Sequence, residues 1–359
     1  MIGMPVDDIP TPALVVDLDA LDLNIERLGL LLAQTGVRSR PHAKAHKCVE
    51  IARRQIAQGA IGICCQTVAE VEAFAAAGIV DILLTNEVTD PRKLARLAAI
   101  SDDTRLGICV DSMMALELIA QARPRRVWDI YIEVDVGGAR CGLKDPIAAV
   151  ALAREVSRLG LNFAGLQAYN GKIQHLRNAA ERKRATANTA AATRVFVQAF
   201  ERAGLVPGVI SGGGTGTVVF DCANGVLGEV QCGTYALMDA DYRSLQSTPG
   251  PKFALALTVL ASVIAVASDH VVIDAGLKAL AFDSGMPAPR DLDQIAYGNP
   301  SDEHGILTAV QGASLPLLGE RVHLIPGHCD PTVALHERLY AVRRGMVEEV
   351  WRPLARGVW

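Results

Sequence analysis

The chain has 359 residues, 50% of them hydrophobic, 21% charged and 4% aromatic, with a net charge of −4. That length supports a large aliphatic core in more than one small domain but fewer than three. The acidic balance argues against nucleic acid or an anionic membrane as the main partner. Eight cysteines, including the adjacent Cys64-Cys65, show no even framework of spacings and read as reduced core thiols. Met1 to Pro12 carries Asp7 and Asp8 and no cationic apolar leader. The most apolar stretch, Phe253 to Ala267, is interrupted by Thr258 and Ser262 and is too short to span a bilayer, so a buried strand fits it better. The expectation is a soluble cytoplasmic protein.

In chain order, Ala13 to Asp17 reads as a strand, and Leu18 to Gln34 as a helix with Leu21, Ile25, Leu28 and Leu32 on one face. A short strand carrying Lys44 follows, then a helix over Val49 to Gln58. Ile61 to Cys65 is a strand, and Val68 to Ala77 a helix ended by Gly78. Ile82 to Thr85 precedes the helix Pro91 to Ala99, with proline in its first turn. Leu106 to Val110 leads into Ser112 to Ala122, and Ile130 to Val136 into Pro146 to Leu159. Phe163 to Ala168 leads into a long helix from about Asn178 to Ala203. Val209 to Ser211 opens the glycine run Gly212 to Gly216.

This alternation predicts an α/β fold, a TIM-like (β/α)8 barrel, over residues 13–247. A doubly wound open sheet would alternate in the same way. The barrel is preferred because chemically unusual residues follow successive strand ends: Lys44, Gln66, Asn86, Asp111, Arg140, Tyr169 and Gly213. A closed barrel brings all of those ends to one face, whereas an open sheet gathers only those at its switch point. After about Thr248 helical periodicity gives way to short strands: Ala256–Ala265, His270–Asp274, Ile306–Val310, Arg321–Ile325, Leu339–Arg343 and Met346–Trp351. A second, all-β domain over 248–359 is expected, with residues 1–12 pairing into it.

Five segments carry chemistry. In one of them, Gln167 to His175, Tyr169 could line a cofactor and His175 could be a general base, with helix-capping or surface roles equally open on spacing alone. Pro41-His42-Ala43-Lys44-Ala45-His46-Lys47 sets a lysine among other cations. Neighbouring positive charge would lower its pKa for Schiff-base work, although such a run is also what a solvated basic loop looks like. Ser211 to Gly216 offers backbone N–H groups and the Thr215 hydroxyl to an anion, or is a flexible turn. Arg140, in a glycine-flanked turn, is a fixed pocket cation or a surface ion pair. His328-Cys329-Asp330 offers nitrogen and oxygen at i and i+2. On an extended backbone both would face one side, fit for a divalent cation, with Cys329 turned to the core. Asp302-Glu303-His304 adds titratable groups nearby, one of which could orient a ligand.

Taken in order, Thr11-Pro12-Ala13-Leu14, Arg40 to Lys47, Gly62 to Gln66, Glu133 to Gly137, Arg140-Cys141-Gly142, Gly165 to Tyr169, Ser211 to Gly216, Asp239 to Tyr242, Asp302 to Gly305 and Pro326 to Thr332 resemble the D-threonine aldolase and 3-hydroxy-D-aspartate aldolase group. That group belongs to the alanine-racemase-like pyridoxal-phosphate enzymes. The resemblance implies that Lys44 binds pyridoxal 5'-phosphate covalently. It implies that Thr215 holds the phosphate with the backbone of Gly213, Gly214, Gly233 and Thr234. Arg140 would face the phenolic oxygen, Gln66 and Tyr169 would line the ring, and Gln231 would oppose the pyridine nitrogen. His328 and Asp330 would hold a divalent metal, and His175 would take a proton from the substrate hydroxyl.

The implied reaction is cleavage of a D-3-hydroxy-amino acid to glycine and an aldehyde or glyoxylate. Dehydration of D-serine or 3-hydroxyaspartate is the rival. In the dehydratase branch a cysteine stands two residues after the histidine, a soft ligand suited to zinc; Asp330 here is a hard one suited to Mg²⁺ or Mn²⁺. A non-catalytic pyridoxal-phosphate carrier is a third reading, opposed by the second domain. Lys172 departs from the small residue that this group carries there, and would hold a β-carboxylate if it reached the pocket. A homodimer is implied.

Overall fold

Among the described residues of the computed structural model, eight strands form one parallel sheet and nine form a second, largely antiparallel one. The structure describes residues 1–359 except 124, 248 and 311, so Thr248, where the composition changes, lies outside the described residues. In the first part β1 (Ala13–Asp17) precedes α1 (Leu18–Thr35), β2 (Arg38–Ser39) precedes α2 (Val49–Ala57), and β3 (Ile63–Cys65) precedes α3 (Val68–Ala76). Then come β4 (Asp81–Leu84), α4 (Pro91–Ala98), β5 (Arg105–Val110), α5 (Met113–Gln121), β6 (Asp129–Glu133) and α6 (Pro146–Arg158). β7 (Asn162–Ala168), α7 (Ala179–Arg202), β8 (Val209–Gly212), α8 (Val218–Asn224), β9 (Glu229–Val230) and the short α9 (Ala240–Arg243) complete it. The second part holds β10 (Leu257–Val266), β11 (His270–Ile273), β12 (Ala288–Pro289), β13 (Ile295–Gly298), β14 (Gly305–Ala309), β15 (Arg321–Ile325), α10 (Cys329–Leu335), β16 (Leu339–Arg343) and β17 (Met346–Trp351).

The parallel sheet runs β2-β9-β8-β7-β6-β5-β4-β3 and closes through a parallel bridge between His42 and Cys64. Cys64 N–H donates to Pro41 O at 2.8 Å and Ile61 N–H to Ser39 O at 2.9 Å along this seam. The expected barrel is therefore the observed architecture. Side chains alternate as a strand requires. Ile63 and Cys65 join the cluster under the helices, while Cys64 turns inward with Leu83, Cys109 and Tyr131. Gly107 makes room for that inner layer: a Cβ there would meet Leu83 Cδ1 at 2.8 Å and Tyr131 Cε2 at 3.1 Å.

Two expectations need correction. β1 does not open the barrel. It lies in the nine-stranded sheet, antiparallel to β10 and parallel to β16, with Leu14 opposite both Val259 and Leu339. Leu14 and Val16, on one face of β1, join one cluster with Leu21, Ile25 and Leu28 of α1 and with Leu257 and Leu324. Ala13 and Val15, on the other face, join a second cluster with Leu260 and Tyr340, so β1 is buried on both faces. Lys44, in turn, is not on a strand. β2 ends at Ser39, and the lysine sits in a one-turn 3-10 helix, Ala43–Ala45. Strands of two residues, β9 and β12, are too short to show a periodicity and were not foreseen, and neither were β13 and α10.

Charge is buried inside the barrel near the bases of its strands. Arg40, 3% exposed, donates through Nε to Glu229 Oε1 at 3.1 Å and through Nη1 to Asp81. Glu229 in turn accepts from the Ser211 hydroxyl at 2.6 Å. Removing one partner leaves a buried carboxylate uncompensated, so Arg40→Ala is expected to lower stability by about 3–5 kcal/mol. Urea unfolding of the two proteins checks it.

Candidate active site

The strand ends of the barrel open on a cavity of about 150 Å³, capped by residues of the second domain. Lys44, Gln66, Arg140, Tyr169 and His175 line it from the barrel loops. Gly214, Thr215, Gln231, Gly233 and Thr234 form another wall, and His328 and Asp330 reach in from the second domain. Gly213 is not on this cavity. Its backbone is left-handed, and a Cβ there would stand 2.7 Å from Asp221 Oδ2, so it is the turn that lets the loop approach α8. Lys172 is exposed and outside the lining. A larger hollow of about 530 Å³ meets the cavity at Thr215 and Tyr242. Its buried cation, Arg182, donates to the carbonyls of Leu176, Arg177 and Gln246.

The His42 side chain accepts from the Lys44 N–H at 3.4 Å, and its other nitrogen meets Thr85 Oγ1 at 2.9 Å. Burial, with the Lys44 charge beside it, pushes the His42 imidazole well below the usual histidine range. It is therefore a neutral bracket for the lysine turn. Lys44 Nζ lies 3.5 Å from Asp330 Oδ2, and that carboxylate raises the lysine pKa against the effect of burial. The expectation that nearby cations lower it is thus reversed. Lys47, the nearest candidate cation, has left-handed backbone and turns away to pair with Glu70.

Gln174 organises the glycine run. Its Oε1 accepts from Gly216 N–H at 3.1 Å and would stand 2.6 Å from a Cβ on Gly214. Thr215 Oγ1 accepts from Tyr235 N–H at 3.0 Å, which ties the run to the turn that begins at Gly233. Arg140 lies 5.6 Å from the centre of the Tyr169 ring, with Nη2 3.5 Å from Glu133 Oε1. Gln231 exchanges amide hydrogen bonds with Gln167 at 2.7 and 3.1 Å and donates to Ser211 Oγ at 2.7 Å. Gln66 Nε2 donates to Thr85 O at 3.3 Å.

His328 Nε2 lies 3.9 Å from Asp330 Oδ1. The two do not share an extended backbone as expected: His328 is extended and caps α10, whereas Asp330 is in the first turn of that helix. The turn still brings them together, and Cys329 is fully buried. Burial favours protonation of Asp330, but the Lys44 charge beside it, with the His328 ring nearby, outweighs that and holds the carboxyl below the usual range. The residue that orients His328 is Asp283, whose Oδ2 meets Nδ1 at 2.7 Å. The expected helper segment points elsewhere, with Glu303 paired to Lys278 at 2.6 Å. His175 Nδ1 bonds to the buried Asp241, and its ring lies 4.9 Å from that of Tyr242. Asp241 and Tyr242 belong to a motif that carried the resemblance, but spacing assigned them no role. His42 and Gln167 stand in segments the sequence singled out but without an assigned role, and Thr85 and Asp283 carry no signal of their own.

Among the described residues, Glu87, Glu133 and Cys141 form a group of three metal-type donors with ligand atoms within 4.8 Å of one another. Burial, reinforced by Glu87, pushes the Glu133 carboxyl up to about 8, and burial pushes the Cys141 thiol to about 11. Glu133 and Cys141 therefore hold their protons near neutrality rather than presenting two anions to a metal.

A closed barrel with a strand-rich second domain, and a lysine at the barrel mouth facing a glycine-built wall, defines the alanine-racemase-like class. The alanine racemase N-terminal domain family matches residues 16–241, and a putative serine dehydratase domain matches residues 256–342. Among curated proteins, the D-threonine aldolase of Arthrobacter sp is 42% identical, over 99% of this chain and 95% of that one. The 3-hydroxy-D-aspartate aldolase of Paracoccus denitrificans (strain Pd 1222) is 39% identical, over 99% and 94%. The crystal structure of D-threonine aldolase from Filomicrobium marinum superposes with a TM-score of 0.97 at 42% identity, covering 99% of this chain and 98% of that one. The chain belongs to the alanine racemase N-terminal domain family, on the branch that contains these aldolases.

Glu133 gives the fold a pH signature. A carboxyl at about 8 in the native state, and near 4.5 when unfolded, binds more protons folded than unfolded between those values. Its contribution to stability is therefore complete below about 4.5 and is lost as pH rises toward 8. Glu133→Gln is expected to flatten the fall in melting temperature between pH 5 and pH 8, measured by differential scanning fluorimetry.

Proposed function

We propose that the chain is a pyridoxal-phosphate- and divalent-metal-dependent aldolase, a lyase that splits D-3-hydroxy-amino acids into glycine and an aldehyde or glyoxylate. The observation that carries this reading is the meeting in one cavity of Lys44, His175 and the His328–Asp330 pair, with Lys44 Nζ 3.5 Å from Asp330. The residues fit both groups. Gly214 and Gly233 keep bare backbone at the wall, since a Cβ would stand 2.6 Å from Gln174 Oε1 at the first and 2.9 Å from His42 O at the second. His328 Nε2 and Asp330 Oδ1, 3.9 Å apart, offer one nitrogen and one hard oxygen, a set suited to Mn²⁺ or Mg²⁺.

When bound, pyridoxal phosphate would supply the electron sink for the pair left on Cα as the Cα–Cβ bond breaks. Lys44 would hold it covalently. The Thr215 hydroxyl and the backbone of Gly214, Gly233 and Thr234 would hold its phosphate, with Gly213 shaping the loop behind them. Arg140 would set its charge against the phenolic oxygen, beside Tyr169 and Gln66, while Gln231 keeps the pyridine nitrogen opposite a neutral amide. His328 and Asp330 would hold the cation that acidifies the substrate β-hydroxyl. His175, with Nδ1 given to Asp241, has Nε2 free to accept that proton. Asp330 also favours cleavage of the carbon–carbon bond over dehydration, because a soft thiolate is missing at that position. The eight free cysteines accord with a cytoplasmic protein, and a two-fold homodimer completes the proposal.

Incubation with D-threonine or 3-hydroxy-D-aspartate should release glycine. Release of a 2-oxo acid and ammonia instead would favour the dehydratase. Lys44→Ala should abolish the yellow colour of the covalently bound cofactor, whereas Lys47→Ala should keep it; the reverse would identify Lys47 as the attachment site. Chelation should stop turnover with the colour retained, and Mn²⁺ should restore it. His175→Asn should lower kcat about 10²-fold or more while leaving colour and metal content unchanged, as measured by steady-state kinetics and metal analysis.

A further inference from the structure

The proton acceptor and the cation ligands come from different parts of the molecule. His175 lies in the loop after β7 of the barrel, and His328 in the turn between β15 and α10 of the second domain. Their separation has to be held across a domain boundary. The four residues Asp239 to Tyr242 touch both sides of it.

We propose that this segment registers the two halves of the site: Asp241 positions His175, and Asp239 positions the turn that carries His328 and Asp330. The inference rests on the aldolase reading above and extends it to residues that meet neither substrate nor cofactor.

Asp241 has a side chain only 5% exposed, while those of His175 and Arg177 are 46% and 53% exposed. The carboxylate is thus the fixed partner and the other two are held to it. One oxygen takes His175 Nδ1, and the other takes Arg177 Nη2. Arg177 Nη1 adds a bond to Asp241 O at 2.7 Å. A carboxylate only accepts, so Nδ1 carries the proton and Nε2 is left as the acceptor in the cavity. The Tyr242 ring limits rotation from the side.

Asp239 is fully buried and uses both oxygens on backbone. Oδ1 accepts from Tyr242 N–H at 2.9 Å and caps α9, while Oδ2 accepts from Cys329 N–H at 3.0 Å. Ala240 N–H donates to Pro326 O at 2.9 Å, so the turn is gripped on both flanks of His328. His328 is the cap residue of α10 but makes no side-chain cap bond. Asp239 supplies that bond from another element, which leaves the His328 ring to Asp283 on one nitrogen and to the cavity on the other.

Three variants test the two arms in cofactor-loaded protein. Asp239→Ser keeps a hydroxyl to cap α9 and loses the reach to Cys329. It should raise the Mn²⁺ Kd, read by electron paramagnetic resonance, about 10–100-fold, the range for losing an outer partner of a ligand. Asp241→Asn should lower kcat for D-threonine about 10²-fold, the scale of a misplaced reacting group, with KM and Mn²⁺ Kd unchanged. Ala240→Pro removes the bond to Pro326 at a first-turn position that accepts proline, and should raise the Mn²⁺ Kd in the same direction. An unchanged Mn²⁺ Kd in both Asp239→Ser and Ala240→Pro, or an unchanged kcat in Asp241→Asn, would overturn the proposal. So would Asp241→Asn weakening Mn²⁺ as much as Asp239→Ser does, because the two arms would then be one structural effect. Wild-type protein that bound no Mn²⁺ would remove the cation reading and the Asp239 arm with it, while kcat of Asp241→Asn would still decide the other arm.

Discussion

A parallel barrel exists only if its last strand can pair with its first, and here that condition falls on residues 38–42. Arg38, Arg40 and His42 donate to Gly228, Val230 and Cys232 on one side, while Ser39 and Pro41 accept from Ile61 and Cys64 on the other. Pro41 sits where only a carbonyl is needed, so its missing N–H costs nothing. The same five residues end at His42, which brackets Lys44. Closure of the barrel and delivery of the lysine are thus a single structural event.

The electrostatic design follows from that seam. Inside the barrel, Glu229 Oε1 accepts from both Arg40 and Ser211, and Ser211 meets Gln231 at the cavity wall, while the second Glu229 oxygen is left without a hydrogen-bond partner. At the mouth the arrangement is different. His42 is kept neutral by burial, Lys44 and Asp330 hold each other charged, and the rings of His175 and His328 each give Nδ1 to an aspartate. Both histidines therefore have Nε2 available at the cavity, although they belong to different domains. Low-dielectric surroundings make such matched charges strong and unmatched ones costly.

The sequence was most readable where a physical period or a special backbone was involved. The helical stripe Leu21, Ile25, Leu28 and Leu32 is the buried face of α1, and of the residues expected at strand ends Lys44, Gln66, Arg140 and Tyr169 meet in one cavity, whereas Asn86 and Asp111 are outside its lining. What could not be read depends on tertiary contact. β1 has the pattern of a barrel strand because any strand buried on both faces does. Lys44 looked like an amine surrounded by cations, but the partner that sets its charge, Asp330, lies far along the chain. Asp283 is adjacent to His328 only after the second sheet has formed, and no spacing rule reaches it. Gly213 belongs to the predicted cradle by motif, yet its left-handed backbone serves the approach to Asp221.

The placement of β1 has a consequence for how the molecule is made. Leu14 lies between Val259 and Leu339, so β1 precedes the barrel in the chain while both of its neighbours follow it. The barrel can be completed before either neighbour has been synthesised. Until then a strand with two open edges must wait, and such edges recruit other chains. α1 shortens that exposure, because Leu21, Ile25 and Leu28 share one apolar cluster with Leu14 and with Val230 of the barrel. The helix can anchor the waiting strand to the finished barrel until the last strands arrive.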